Sequence, residues 1–260
     1  MSDEPIQIGV TGASGRMGRT VRETAQDRGI EVAFAVNRDA EPRLEGIEPS
    51  RRFEALCRET DPDAIVDFTG PSSTLEYVET AVSMSLPVVT GTTGFSGEQL
   101  ATLETAGDDI PVLLGANFAR GVQALADAVE AAVNALEEYD IELTETHHNG
   151  KRDAPSGTAN MLLDRIDAVR GDSPERVHGR EGQAPRSAGE IGVHARRAGD
   201  VTGEHELLLA GNQESLSLTH RAGSRSVFAE GALDAAVWLT NQPTGFYRFH
   251  DIADQLGGTA

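Results

Sequence analysis

IQIGVTGASGRMG, residues 6–18, sets a short apolar strand against a glycine-rich turn and the start of a helix. Ile6–Val10 has the apolar, β-branched character of a buried strand. The glycines at 12, 15 and 18 follow the spacing G-x-x-G-x-x-G rather than the commoner G-x-G-x-x-G. The physics is shared. Glycine lets the backbone turn tightly and approach a pyrophosphate, and the first amides of the following helix offer donors and partial positive charge to it. Helix-forming residues continue to about Arg28 and stop at Gly29; Glu31–Val36 (EVAFAV) then reads as a second strand. Strand, glycine turn, helix and strand in this order predict dinucleotide binding, with the glycines at 12, 15 and 18 and the helix start around the pyrophosphate. Arg16 is placed for a charge-assisted contact. The competing reading is a turn with only a packing role.

The ribose-reading position lies at the end of the second strand, which closes Val36, Asn37, Arg38, Asp39. Asn37 is neutral and Arg38 is cationic, a pair that suits the 2′-phosphate of NADPH. Asp39, one residue on, suits the 2′-hydroxyl of NADH, so both cofactors stay open. An ordinary ion pair between Arg38 and a surface acid is the alternative.

Farther along, Ala64–Phe68, Pro87–Thr90 and Val112–Leu114 read as strands, with helices near 73–85 and 97–107. Strands alternating with helices imply a parallel sheet covered on both faces. Val122, Leu125, Ala126, Val129, Val133 and Leu136 recur at helical spacing between Gly121 and Tyr139. The pattern then changes. Ile141–Thr146 alternates like a half-buried strand, and Ser156–Val169 looks helical with Ser156 as its cap. Ile191–Arg197, Glu206–Ala210 and Ser215–Thr219 are strands without helices enough between them for a parallel sheet. Ser226–Leu239 is helical again, and the tail FYRF, residues 246–249, follows no readable pattern. The expected fold is therefore α/β. A Rossmann-like, parallel-sheet dinucleotide domain takes residues 1–118 and 226–260. An α+β domain for substrate and oligomerisation, with an open mixed sheet, takes 119–225.

Composition narrows the class. A net charge of −20 argues against nucleic acid, which needs a basic footprint. The basic residues are one lysine, Lys151, and 21 arginines. An acidic surface almost free of lysine resembles the solubility strategy of proteins in a molar-salt cytoplasm; arginine-rich codon usage is the plainer alternative. At about 1 M salt the Debye length is about 3 Å, so a few local cations would decide anion binding in spite of the global charge. The single cysteine, Cys57, permits no intrachain disulfide and fits a reducing compartment. The opening MSDEPIQIGV lacks the basic and apolar regions of a signal peptide. No apolar stretch approaches the ~18 residues of a membrane span. A cytoplasmic location without membrane contact is expected.

Position 151 invites a chemical question, because every other position does without lysine. It lies in ETHHNGKRDAPSGTA, residues 145–159, which runs from a strand end through a loop to a helix start. His147 and His148 supply groups that titrate near neutrality. Lys151 supplies a point charge for a developing anion, or a proton. Ser156, Gly157 and Thr158 sit at the helix start, where amides and hydroxyls favour a carboxylate. The set suits hydride reduction of a small anionic substrate with a proton delivered beside it. The alternative is a pair of ordinary loop histidines. No matching cysteine or third histidine accompanies the pair, so no metal is expected.

The same run matches E-x-H-H-x-x-K-x-D-A-P-S-G-T-A without a gap, and in this the chain resembles the dihydrodipicolinate reductase family. The likeness extends through Gly12–Gly18 (GASGRMG), Asp67–Thr69 (DFT), Gly91–Phe95 (GTTGF), Ala116–Phe118 (ANF), Ile191 and Gly192, Arg197–Asp200 (RAGD), Gly203–His205 (GEH) and Thr219–Arg221 (THR), nearly the whole chain. The resemblance implies a two-domain NADPH- or NADH-dependent reductase of lysine and diaminopimelate biosynthesis. Its substrate is dihydrodipicolinate or the 4-hydroxy hydrated form, its product is tetrahydrodipicolinate, and its assembly is a homotetramer. It further implies that Gly12–Met17 hold the pyrophosphate and Arg38 the adenosine side. Gly91, Thr92, Thr93, Gly115, Ala116, Asn117 and Phe118 would line the nicotinamide, with Thr93 also counted toward the substrate. His147 would be proton donor and acceptor and Lys151 proton donor, while His148, Gly157 and Thr158 would bind the substrate carboxylates. Two positions depart from the family pattern. Asn37 stands where an acid is frequent, which leaves the cofactor preference open. Gly115 replaces a familiar alanine, a lost methyl of little expected consequence. The rivals are another two-domain dehydrogenase, which has no reason to carry residues 147–158 in this form, and a non-catalytic dinucleotide sensor, which has no reason to keep proton donors.

Overall fold

The computed structural model describes residues 5–38 and 46–257. The chain divides into two units: residues up to Phe118 together with those from Arg225 onward, and Ala119–Ser224. In chain order the first stretch holds β1 (Gln7–Thr11), α1 (Arg16–Asp27), β2 (Glu31–Asn37), β3 (Glu48–Pro49), α2 (Phe53–Thr60), β4 (Ala64–Asp67), α3 (Pro71–Ser83), β5 (Val88–Thr90), α4 (Gly97–Ala106) and β6 (Pro111–Leu114). The second unit holds α5 (Arg120–Ala135), β7 (Asp140–His147), α6 (Gly157–Arg170), β8 (Arg176–Val177), β9 (Ile191–Arg197), β10 (Gly203–Gly211) and β11 (Glu214–Ala222). The chain returns to the first unit with α7 (Ser226–Leu239), β12 (Gly245–Arg248) and α8 (Phe249–Ile252).

The first unit builds a seven-stranded sheet in the order β12-β6-β5-β4-β1-β2-β3, with every neighbouring pair parallel. The order runs outward in both directions from β1 and β4, so the switch point lies between them. Consecutive apolar residues serve opposite faces. Ala64, Val66, Val89 and Leu113 pack with Val21 and Ala25 of α1 and Leu233 and Ala236 of α7. Their neighbours Ile65, Val88 and Val112 pack with Phe53, Leu56, Tyr77, Val78 and Leu103 of α2, α3 and α4. Unbroken apolar runs are what strands buried on both faces require. The FYRF tail forms β12 and its turn into α8, with Phe246 beside Val112 of β6. All four β12 residues are only partly buried, which is why no clean period of two marks this edge strand. The short α2 and two-residue β3 likewise carry too little sequence to announce themselves.

The second unit's sheet runs β11-β10-β7-β9-β8. β7, β9 and β8 are parallel, and β10 is antiparallel to both β7 and β11. Strands β10 and β11 are longer than their apolar centres suggest. They continue into a two-residue hairpin in which Asn212 and Gln213 have φ of 48° and 63°, the backbone of a type I′ turn. One face of the sheet carries Ile141, Leu143, Ile191, Val193, Leu207 and Leu209 against Val129 and Val133 of α5 and Leu162, Leu163 and Ile166 of α6. On the other face Glu142, Thr144, Glu206 and Leu208 remain partly exposed.

Period two then does something useful on the covered face. In β7 the inward series Ile141, Leu143, Glu145, His147 passes from apolar to ionisable. In β9 the series Ile191, Val193, Ala195, Arg197 does the same, and His147 stands opposite Arg197 in the register. In β10 it reads Leu209, Leu207, His205, with His205 opposite Glu145. The apolar core of this unit thus ends in a buried polar cluster.

Candidate active site

In the first unit the glycine turn leaves the end of β1. Gly12 has φ of 70°, and a Cβ there would collide with the Phe68 carbonyl oxygen. A Cβ at Gly18 would collide with the Gly12 carbonyl oxygen. The Gly15 amide closes the turn onto Gly12 O at 2.9 Å, and the Ala13 amide ties it to Val36 O of β2 at 3.1 Å. Helix α1 starts with no side-chain cap and no acid in its first turn. Its opening amides are therefore suited to an anion, and the cradle fits a dinucleotide pyrophosphate. Ser14 and Met17 are partly exposed and Arg16 exposed around it.

Arg38 follows β2 and donates to Ser73 Oγ in the first turn of α3 at 2.7 Å. Among the described residues it pairs with no carboxylate, and Asp39 lies outside them. Gly91, Thr92 and Thr93 follow β5, and Gly115–Phe118 follow β6. In a parallel sheet all these strand ends share one edge, so the structure brings the expected cofactor residues of this unit to one side. The Phe68 ring fills the space that a side chain at Gly91 would need. The Phe118 ring does the same at Gly115, where a Cβ would stand 2.5 Å from it. A methyl at 115 would therefore need that buried ring, which packs edge-on against Phe68 at 5.9 Å, to shift.

Asp67 figures in the sequence only as part of the family-like DFT run, with no role attached. Asp67, the last residue of β4, is wholly buried. Thr11 and Thr69 donate to its Oδ1, each at 2.6 Å. Thr74, Thr90 and Thr92 donate to its Oδ2 at 2.7, 2.8 and 3.0 Å. The Gly91 amide bonds to its carbonyl oxygen at 2.8 Å.

In the second unit, Glu145 is the wholly buried anchor. Arg197 grips it with two bonds of 2.8 Å, His147 Nδ1 lies 2.6 Å from its Oε2, and the Ser156 amide donates to Oε1 at 3.2 Å. Burial alone would raise the Glu145 pKa, but the hydrogen bonds and charges of Arg197 and His147 hold it below the usual value. Burial is also the main influence that lowers the His147 pKa; Glu145 opposes it, and the charges of Lys151 and Arg197 add to it. With Nδ1–H committed to Glu145, the chemistry of His147 falls to Nε2. Gly203 packs against that nitrogen; a Cβ there would stand 3.1 Å from it.

Lys151 is not a lone ammonium. Its Nζ lies 2.9 Å from Asp153 Oδ2, and its backbone amide bonds to the His148 carbonyl oxygen at 3.1 Å. Burial would raise the Asp153 pKa, yet the bond to Lys151 holds it below the usual range. An ammonium has three donors, so two remain beyond this pair. His148 is partly exposed at the same strand end.

Ser156 is the cap of α6, and its polar groups are already engaged. Its amide serves Glu145, and its hydroxyl accepts from the Ala159 amide at 3.2 Å and meets His205 Nε2 at 3.0 Å. It fixes the start of α6 and leaves exposed Gly157, with Thr158 beside it, as the residues presented there. His205 is held neutral, its pKa pushed down to about 4 chiefly by burial, with the His147 charge adding to it. Its ring packs edge-on against His147 at 5.2 Å. The inward period of β7 was the signal for Glu145; nothing local marked Arg197 or His205 as its neighbours.

Among the described residues no group of three or more His, Cys, Asp or Glu side chains is arranged to hold a metal ion. No described helix is long and apolar enough to cross a membrane.

The family model for the dihydrodipicolinate reductase N-terminus matches residues 6–118, and that for its C-terminus matches residues 121–253. The 4-hydroxy-tetrahydrodipicolinate reductase of Natronomonas pharaonis is 52% identical over 246 residues, covering 95% of this chain and 99% of the relative. Its counterpart from Haloarcula marismortui is 50% identical over 249 residues, again covering 95% and 99%. The fold is that of the dipicolinate-bound dihydrodipicolinate reductase from Paenisporosarcina sp. TG-14, with a TM-score of 0.78 at 23% identity over 96% of this chain and 100% of that one.

Proposed function

The chain belongs to the dihydrodipicolinate reductase family, and from that premise we propose that it reduces dihydrodipicolinate, or the 4-hydroxy-tetrahydrodipicolinate preceding it, to tetrahydrodipicolinate in lysine and diaminopimelate biosynthesis. The observation that carries this reading is the Glu145-bound His147 on the same short stretch as Lys151 and the Ser156-capped start of α6. The nicotinamide of NADPH or NADH supplies a hydride to an electrophilic ring carbon conjugated to the imine.

Everything else falls to side chains of this chain. Negative charge builds toward the substrate's ring nitrogen as hydride arrives, and a cation aimed at that charge stabilises the transition state more than the ground state. Lys151 takes this role and donates a proton. His147 completes proton transfer through Nε2, with Glu145 fixing its tautomer. Exposed Gly157 and partly exposed Thr158 at the start of α6, with His148, receive the substrate carboxylates. Ser156 holds that helix start in place.

On the cofactor side Gly12–Met17 hold the pyrophosphate, and Gly91–Thr93 and Gly115–Phe118 line the nicotinamide, with Thr93 also toward the substrate. Arg38, bonded to a neutral hydroxyl, keeps its charge for a 2′-phosphate; with neutral Asn37 beside it, NADPH is accepted as well as NADH. The second sheet has a face that α5 and α6 leave uncovered, which favours assembly of copies into a homotetramer. A net charge of −20 with a single lysine suits a salt-rich cytoplasm and neither nucleic acid nor a membrane surface.

The test is NADPH oxidation with freshly made 4-hydroxy-tetrahydrodipicolinate, at low and high salt. Oxidation that depends on this substrate is expected. Oxidation only with a different imine or carbonyl compound assigns the chain to another dehydrogenase activity, and tight cofactor binding without turnover on any substrate makes it a sensor.

A further inference from the structure

A wholly buried carboxylate usually meets an arginine or lysine, because taking a charge out of water is costly unless it is paired. Asp67 meets none among the described residues. Five threonine hydroxyls satisfy it instead. Hydroxyls fill its lone pairs but carry no net charge, so the carboxylate is solvated without being neutralised. Its field acts in an environment of low effective dielectric, where a charge reaches over several ångströms. The donors lie on β1, the loop after β4, α3, β5 and the loop after β5. Thr11 precedes Gly12, Thr74 follows the Ser73 that holds Arg38, and Thr92 belongs to the Gly91–Thr93 loop.

We propose that Asp67 is a positioning residue that acts electrostatically: its unneutralised charge, one hydrogen bond from Thr92, favours the oxidised, cationic nicotinamide over the neutral reduced ring and so strengthens bound NADPH as a hydride donor. This rests on the reading that Gly91–Thr93 line the nicotinamide. The charges balance. Hydride transfer moves two electrons and one hydrogen from the ring to the substrate carbon and leaves one positive charge on the ring, while the proton that completes reduction comes from the Lys151 and His147 side. A purely structural hub would tie the loops together without distinguishing the two oxidation states.

The experiment titrates the full chain with NADPH, with NADP+, with the neutral analogue that carries benzamide in place of nicotinamide, and with 2′-phospho-ADP-ribose, which lacks the ring. The unsubstituted chain is expected to bind NADP+ about tenfold more tightly than the neutral analogue. Asp67→Asn is expected to abolish that preference and to shift the NADP+ to NADPH Kd ratio by about tenfold, equivalent to about 30 mV for a two-electron couple. Binding of 2′-phospho-ADP-ribose should stay within about twofold. Equal affinity of the unsubstituted chain for NADP+ and its neutral analogue overturns the proposal, and needs no variant to fold. Equal losses for all ligands in Asp67→Asn also overturn it, leaving a structural hub. Failure of the unsubstituted chain to bind any of these ligands, or NADH and NAD+, removes the nucleotide site itself, and the proposal with it.

Discussion

Asp67 and Glu145 are both wholly buried acids near the C-terminal end of a strand, and the protein treats them in opposite ways. Asp67 is surrounded by neutral hydroxyls. Glu145 is held by the fork of Arg197 and by the His147 ring. Hydroxyl solvation preserves a negative charge for whatever lies nearby. Ion pairing compensates the charge and uses the carboxylate for orientation, here of an imidazole whose other nitrogen is the one proposed for proton transfer. The difference matches the tasks proposed for the two units: one handles a ring that becomes cationic, the other a substrate that becomes anionic.

The sharpest way to break the contrast is Glu145→Gln. It strands Arg197, whose side chain is only 19% exposed, and should lower stability by about 3 kcal/mol in denaturant unfolding. The same change removes the carboxylate that raises the His147 pKa, so the limb of the kcat/KM pH profile assigned to His147 should move to lower pH. An unmoved limb would separate His147 from the reaction.

Acid titration probes the same region. His205 has a folded pKa of about 4 against an ordinary value of 6.5. Between these values the unfolded chain binds the proton that the folded chain refuses, so stability is intact above pH 6.5 and falls as the pH drops toward 4. The loss from this residue should approach about 3 kcal/mol. Below that window Glu145 adds to the loss, because its folded pKa is depressed and its contribution disappears as it protonates. His205→Gln should flatten the upper part of the curve in urea titrations at stepped pH; an unchanged slope would contradict its burial as a neutral base.

Asp67→Asn should be milder, costing about 1–2 kcal/mol, because the threonine hydroxyls can rotate to suit an amide and no cation is stranded. A loss as large as that of Glu145→Gln would erase the distinction between the two acids. The smallest effect belongs to Gly203→Ala. Its methyl would crowd His147 Nε2 from 3.1 Å, so kcat should fall a few-fold while NADPH affinity holds.

What was legible follows from the range of the interactions. The glycine turn could be read because each requirement is local: Gly12 needs its positive φ, and Gly18 lies against its own turn. The two sheets followed from alternation with helices and from its loss after Tyr139. The Asp67 hub was not legible, because Thr11, Thr69, Thr74, Thr90 and Thr92 are scattered and only the parallel sheet gathers them. Glu145 was half legible. Its place in the inward series of β7 marked it as buried, but its partner Arg197 lies 52 positions away. Ser156 was recognised as a cap, yet its engagement with Glu145 and His205 depends on strands β7 and β10 meeting. The Phe118 ring that lies against Gly115 is a fact of packing that no period encodes.

The proposed reduction depends most directly on the ammonium of Lys151. Lys151→Gln keeps a polar side chain, one atom shorter, and removes its charge. Steady-state turnover together with NADPH titration should show kcat reduced ~1000-fold, with NADPH affinity within about twofold of the unsubstituted enzyme. Turnover equal to that of the unsubstituted enzyme would contradict it.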